Sequence, residues 1–270
     1  MRGISRASLA ELEERLAPLT VSVATAVTLG NELFTVAGLL ASQPALRRAL
    51  ADPSRPADAR SGLATSLLAG RVSEATADLV AAAAAARWSA PGDLTDAVEE
   101  LAAEAIVAAA DDEGHLDDLE DALFRFGRVV ASQPELRIAL TNPFVSADAK
   151  RGLLAGLLAG KVTPEALRLI TEAAISPLGR SVDVSLEHYA QLAARRRESV
   201  VAEVRVAIAL TAQQRSRLAS ALATAYGHQV HLNVVLDPRV SGGMTVRVGD
   251  ELIDGSVATR LAEARRKLAS

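Results

Sequence analysis

The chain has 270 residues, half of them hydrophobic but only 3% aromatic, so its core draws on Ala, Leu and Val, a mix that suits closely packed helices. A formal net charge of −4 argues against a nucleic-acid binder and against direct electrostatic attachment to an anionic membrane. The absence of Cys excludes disulfides and thiolate metal sites.

The opening segment, "MRGISRASLAELEERLAPL", is charged and amphipathic and lacks the apolar stretch of a signal peptide. The longest Ala-rich apolar run, Leu79 to Ala86, falls far short of the roughly 20 residues that span a bilayer. A membrane role is therefore expected only through a partner. The dominant feature of the first two thirds is a duplication. "ASQPALRRAL" at Ala41–Leu50 returns as "ASQPELRIAL" at Ala131–Leu140, so 90 residues separate the copies. At the same spacing "ADARSGLATSLLAGRV" (57–72) matches "ADAKRGLLAGLLAGKV" (147–162), Pro53 falls on Pro143, and Phe34 on Phe124.

Each copy reads as helices. Leu119, Leu123, Phe126 and Val130 recur at three- and four-residue steps and share one helical face. "SQP" and "TNP" end helices, because a residue before Pro is pushed out of the α region. Ser146 precedes a helix through Leu158, and Thr163 with Pro164 reads as the cap and first position of the next. Ser73 caps the corresponding helix in the first copy, which ends in the Ala81–Ala86 run. A helix over about 94–110 closes the first copy and opens the second, and corresponds to one over about 184–197. "DDEGHLDD" is the polar break between copies. Trp88 aligns with Leu178, which favours core packing over ligand stacking.

After Arg197 the hydrophobic period changes from 3.6 to 2. Ala202, Val204, Val206, Ile208 and Leu210 share one face of a strand, and Val230, Leu232, Val234 and Leu236 that of another, with Gln229, His231 and Asn233 outward. Between them Thr211 and Gln214 have capping-box spacing, and Gly227 stops the helix. Strand, helix and strand of this length make a parallel crossover. Met244, Val246 and Val248 form a further strand, Gly249–Asp250 a two-residue hairpin turn, and "ELI" the return strand. Asp254 or Ser256 is placed to cap a last helix carrying Val257, Leu261, Ala264 and Leu268 on one side. The expected architecture is mainly α with a small C-terminal α/β domain: a helical bundle over 1–93, a second over 94–198, and a mixed sheet with helices over 199–270.

A candidate for chemistry is "GGMTVRVGDELIDGS" (242–256), rich in glycine and acidic residues. It lacks the Lys-Ser or Lys-Thr of a phosphate-binding loop, the Gly-x-Gly-x-x-Gly of a dinucleotide site, and the acidic ladder of a calcium loop. His115, His188, His228 and His231 have no metal-ligand spacing, and His228 and His231 read as solvated strand residues. No Ser stands in a nucleophile-elbow setting. "ARRRES" (194–199) reads as a solvated helix end that complements the dipole. No catalytic, cofactor-binding or metal residue is expected. The glycines and aspartates read as turns and caps.

That same stretch resembles a specific signature. "LDPRVSGGMTVRVGDELIDGSVATRLAEARRKL" (236–268) is similar to the delta subunit of F-type ATP synthases, whose mitochondrial counterpart is the oligomycin-sensitivity-conferring protein. Asp237, Pro238, Gly242, Gly243, Arg247, Gly249, Asp250, Ile253, Asp254, Gly255, Ser256 and Leu261 stand where the family pattern puts them. "NPFVSADAK" (142–150) resembles its Asn-Pro-x-x-Ser-x-x-x-Lys segment, and "ISPLGR" (175–180) the Gly-Arg that closes its following helix. The resemblance covers about 94–270, and the additional unit over 1–93 departs from the single bundle of typical members. It implies a non-catalytic stator connector on the cytoplasmic face of a bacterial membrane. The helical part would grip the N-terminal helix of an alpha subunit, and the C-terminal domain the b-type subunit of the peripheral stalk. The alternative from another class, a helical-repeat adaptor, accounts for the duplication but not for the C-terminal motif.

Overall fold

The computed structural model describes residues 1, 3–176, 180–198, 200–226, 230–237, 242–248 and 251–254. They fall into two compact units, 1–196 and 197–270.

The first unit is helical. Six helices, α1 (Ile4–Leu16), α2 (Val23–Ser42), α3 (Pro44–Ala51), α4 (Ala57–Leu68), α5 (Glu74–Ala85) and α6 (Pro91–Asp112), are followed by α7 (Leu116–Ser132), α8 (Pro134–Thr141), α9 (Ala147–Leu158), α10 (Pro164–Ile175) and α11 (Val182–Glu198). At the 90-residue spacing α3, α4 and α5 fall on α8, α9 and α10, and α2 and α7 end at equivalent serines. The sequence dictates these limits locally. Ser73, Ser146 and Thr163 accept hydrogen bonds from the backbone N–H groups of Thr76, Ala149 and Ala166, as helix caps do. Pro stands at the start of α3, α6, α8 and α10. Gly70 and Gly160, with φ of 69° and 71°, turn the chain after α4 and α9, a conformation that a side chain disfavours.

One continuous hydrophobic core runs from Leu9 to Ala193. Its spine is α6, buried along most of its circumference through Leu94, Ala97, Val98, Leu101, Ala102, Ala105, Ile106 and Ala109 among others, with a polar stripe of Asp96, Glu100, Glu104 and Asp111 left partly exposed. The expected division at 93/94 thus lies beside a helix that belongs to the core of both copies. Helix α2 packs tightly against α6 at Gly30, where a Cβ would stand 2.7 Å from Ile106 Cδ1 and 3.0 Å from the Ala102 carbonyl oxygen. By length and composition α2 is apolar enough to cross a membrane, although Asn31 and Glu32 interrupt its apolar run. Here it serves as a core helix. Its Glu32 carboxylate is bonded by Ser73 and Thr76 of the same unit.

The second unit holds β1 (Val200–Val206), α12 (Ala212–Tyr226), β2 (Val230–Leu236), β3 (Met244–Val248) and β4 (Glu251–Asp254). The sheet order is β2-β1-β3-β4, with β1 parallel to β2 and antiparallel to β3. Thr211 and Gln214 form the expected capping box at 2.8 and 3.3 Å. Ala202, Val204, Val206, Leu222, Val230, Val246 and Val248 make a small separate core. Two alternation readings are corrected. β1 ends at Val206, where the chain bends, so Ile208 leaves the strand and is exposed. Leu236, at the end of edge strand β2, is exposed as well. The last helix expected over 257–268, and with it Leu261, lies outside the described residues.

Candidate partner-binding surface

The segments that carry the family resemblance do structural work in the helical unit. Asn142 Oδ1 accepts the Phe144 N–H at 2.9 Å, and Ser146 caps α9. Lys150 Nζ donates to the Ala174 carbonyl at the end of α10 at 3.4 Å, so its charge meets the negative end of a helix dipole. The first copy repeats the device with Arg60, which is buried and donates to the carbonyls of Ala84, Ala85 and Ala86 at the end of α5. Arg180 pairs with Glu99 of α6, whose other oxygen accepts the Tyr189 hydroxyl proton at 2.8 Å. Burial raises the Glu99 carboxyl above its ordinary range despite the opposing pull of Arg180 and Tyr189. Trp88 is buried, and its indole N–H donates to the Ala83 carbonyl at 2.9 Å. Its counterpart Leu178 lies outside the described residues.

The C-terminal signature gives turns and strand pairing. Asp237 is buried at the end of β2, its N–H donates to the Val206 carbonyl, and its carboxylate lies 3.8 Å from Arg205. Gly242 and Gly243 have φ of 82° and 80°. Val248 pairs with Glu251, Asp254 pairs with Thr245, and Glu203 faces Arg247 across the strands. Pro238, Gly249, Asp250, Gly255 and Ser256 lie outside the described residues, as does His228.

The duplication supplies an internal comparison of surfaces. Phe34 is 4% exposed: the Arg168 guanidinium of α10 lies 4.8 Å from its ring centroid, and Tyr189 of α11 meets it edge-on. Beside it Arg168 donates to Asn31 Oδ1 at 2.5 Å. Phe124, at the same place in the second copy, is 63% exposed. The second copy also exposes Ile138 and Phe144, at 64% and 95%, where the first has the polar residues Arg48 and Ser54. Between α7, α8 and the turn into α10 a groove of about 780 Å³ is lined by apolar Phe126, Val129, Leu136 and Leu157. His115, Asp118, Asp121, Arg125 and Lys161 stand along its rim, with Arg125 paired to Asp121 at 2.8 Å. In the first copy Glu32, bonded to Ser73, replaces Ala122 of this lining. The second copy thus combines an open groove with exposed large apolar side chains, a combination suited to the apolar face of a helix.

The helical unit also holds two titratable clusters, the second of which shares His115 with the groove's rim. Glu13 of α1 meets Glu100 and Glu104 of α6, close to Arg195 and His188 of α11. Burial first, then the negative charges of Glu13 and Glu100, push the Glu104 carboxyl well above 4.5. Burial likewise lowers His188, so a neutral imidazole is favoured there. The other cluster joins Glu113, His115 and Glu165. Neither arrangement sets a nucleophile against a base, so neither forms an acyl-transfer constellation. The sequence reading missed both, because their members come from helices far apart in the chain.

The family model for the ATP synthase delta (OSCP) subunit matches residues 98–268. The chain is 49% identical over 269 residues to the ATP synthase subunit delta of Thermobifida fusca (strain YX), covering 100% of each. It is 47% identical over 270 residues, again covering 100% of each, to the subunit delta of Streptomyces griseus subsp. griseus. These relatives therefore share the additional N-terminal copy. A chain of the Toxoplasma gondii mitochondrial ATP synthase hexamer, 20% identical, superposes over 62% of this chain and 95% of that one with a TM-score of 0.28, too loosely to bear on the assignment.

Proposed function

The chain belongs to the ATP synthase delta (OSCP) subunit family, and from that premise we propose that it joins the catalytic head of the enzyme to its peripheral stalk by holding the N-terminal helix of an alpha subunit with residues 94–198 and a b-type stalk subunit with residues 199–270. It is a stator component without chemistry of its own. It resists rotor torque through interface area, on the cytoplasmic face of the bacterial membrane, which it meets only through the complex. The observation that carries the assignment of the alpha site is the asymmetry of the copies. The second exposes Ile138 and Phe144 and has an open apolar groove lined by Phe126, Val129, Leu136 and Leu157, while Arg48, Ser54 and the bonded Glu32 stand at the places equivalent to Ile138, Phe144 and Ala122 in the first. An amphipathic helix laid into such a groove is held by its apolar face.

The test is binding of a fluorescent alpha-subunit N-terminal peptide to the full chain. Ile138→Asp with Phe144→Asp is expected to weaken it by roughly 10-fold or more, since buried apolar anchors carry most interface energy. Leu67→Asp, at an exposed first-copy position, is expected to leave it unchanged. Loss of binding in Leu67→Asp alone would transfer the site to the first copy.

A further inference from the structure

We propose that Glu113, His115 and Glu165 form a binding site for a divalent transition-metal ion, Zn²⁺ in the first place, at the rim of the second copy. Three observations carry this. The positive φ of Gly114, 72°, turns the chain after α6, and the His115 N–H bonds back to the Ala110 carbonyl, so Glu113 and His115 are presented on a fixed turn. The ligand atoms converge. His115 Nδ1 stands 3.3 Å from Glu113 Oε2 and 3.9 Å from Glu165 Oε2, and all three lie within 4.8 Å of one another. Donors about 2.0–2.2 Å from a zinc ion stand roughly 3.0–3.6 Å apart, so small side-chain movements close the set. Finally, Glu165 is 5% exposed, yet its Oε2 has no hydrogen-bond partner, and neither has His115 Nδ1. A buried carboxylate oxygen without a donor is costly, and a metal satisfies both atoms at once.

One imidazole with two carboxylates is a nitrogen–oxygen set that suits Zn²⁺, whereas Mg²⁺ and Ca²⁺ favour oxygen alone. The site is peculiar to the second copy, because the equivalent first-copy residues are Val23, Thr25 and Ala75. A bound ion would tie the α6–α7 turn to the start of α10 at the end of the groove, leaving a coordination position for water. The competing arrangement, His115 turned towards Glu113 at 3.3 Å, leaves the buried Glu165 Oε2, 3.9 Å away, without a donor.

The test is calorimetric titration of the full chain with ZnCl₂ at neutral pH in a non-chelating buffer, with MgCl₂ in excess as competitor. Expected is one equivalent that Mg²⁺ does not displace, weakened at least about 10-fold in Glu165→Gln and lost in His115→Ala. Co²⁺ is expected to give the visible absorption of a four- or five-coordinate site. Circular dichroism checks that both variants keep their helices, and His115→Ala, on an exposed turn, carries the test should Glu165→Gln fail to fold. No one-site isotherm in the unsubstituted chain, or one that survives His115→Ala unchanged, would overturn the proposal. Either outcome leaves the alpha-peptide measurement untouched.

Discussion

Glu104 shows what burial does to one carboxyl. It faces Glu13 of α1, with Glu100 of its own helix and with Arg195 and His188 of α11 nearby, and its affinity for a proton is well above that of a free side chain. Between the ordinary 4.5 and its raised value, the folded chain keeps a proton that the unfolded chain has released. Stability contributed by this group therefore falls as pH rises through that window and is flat above it. Glu104→Gln keeps a donor towards Glu13 and removes the titration. Denaturant unfolding is expected to find the variant more stable than the unsubstituted chain at pH above the window and little changed at its acid end. A parallel pH profile for both would refute the buried-carboxyl account. Gly30 poses a second residue-scale question. Gly30→Ala gains about 1 kcal/mol of helix propensity but forces a methyl against the Ala102 carbonyl, and overpacking costs about 1–3 kcal/mol. A net loss of roughly 1 kcal/mol is expected, whereas Gly38→Ala, with nothing near its Cβ, is expected to stabilise α2 by about 0.5–1 kcal/mol. Urea midpoints of the two variants decide it.

At the scale of elements, caps and prolines made the helices legible. Ser73, Ser146, Thr163 and Pro164 act where local spacing put them, because capping depends on neighbours within four residues. What stayed hidden was which face of a helix would be covered. Phe34 and Phe124 hold the same place in α2 and α7, and the shared positions Leu29/Leu119 and Leu33/Leu123 are buried in both. Only α2 meets Arg168 and Tyr189 from the other copy, so only Phe34 disappears. That difference comes from contacts more than 130 residues apart, which no local period encodes. Strand ends were hidden for a related reason. The alternation of Ile208 and Leu210 continues that of β1, but pairing with β2 and β3 stops at Val206. Likewise Glu165 lies 50 positions from His115, so local ligand spacing does not join them.

For the whole molecule, the duplication created one continuous helical core rather than two copies with separate interiors. In α6 the residues Ala102 and Ile106 face Gly30 of α2, while Glu99 faces Arg180 and Tyr189 of the second copy. Removing the first copy would uncover the face of α6 that packs on α2 and expose contiguous apolar surface to water. A fragment over 91–270 is therefore expected to aggregate or to unfold without a cooperative transition. A fragment over 1–196, which ends at the boundary between the compact units, is expected to melt cooperatively as a monomer. Peptide 1–90 supplied in trans is expected to restore soluble 91–270, because α2 would again cover α6. Circular dichroism melts with sedimentation measure all three species. A soluble, cooperatively folding 91–270 fragment would mean that the second copy holds its own core and that the first is an appendage. Aggregation relieved by the 1–90 peptide would make α2 an integral part of the scaffold that presents the second copy's groove.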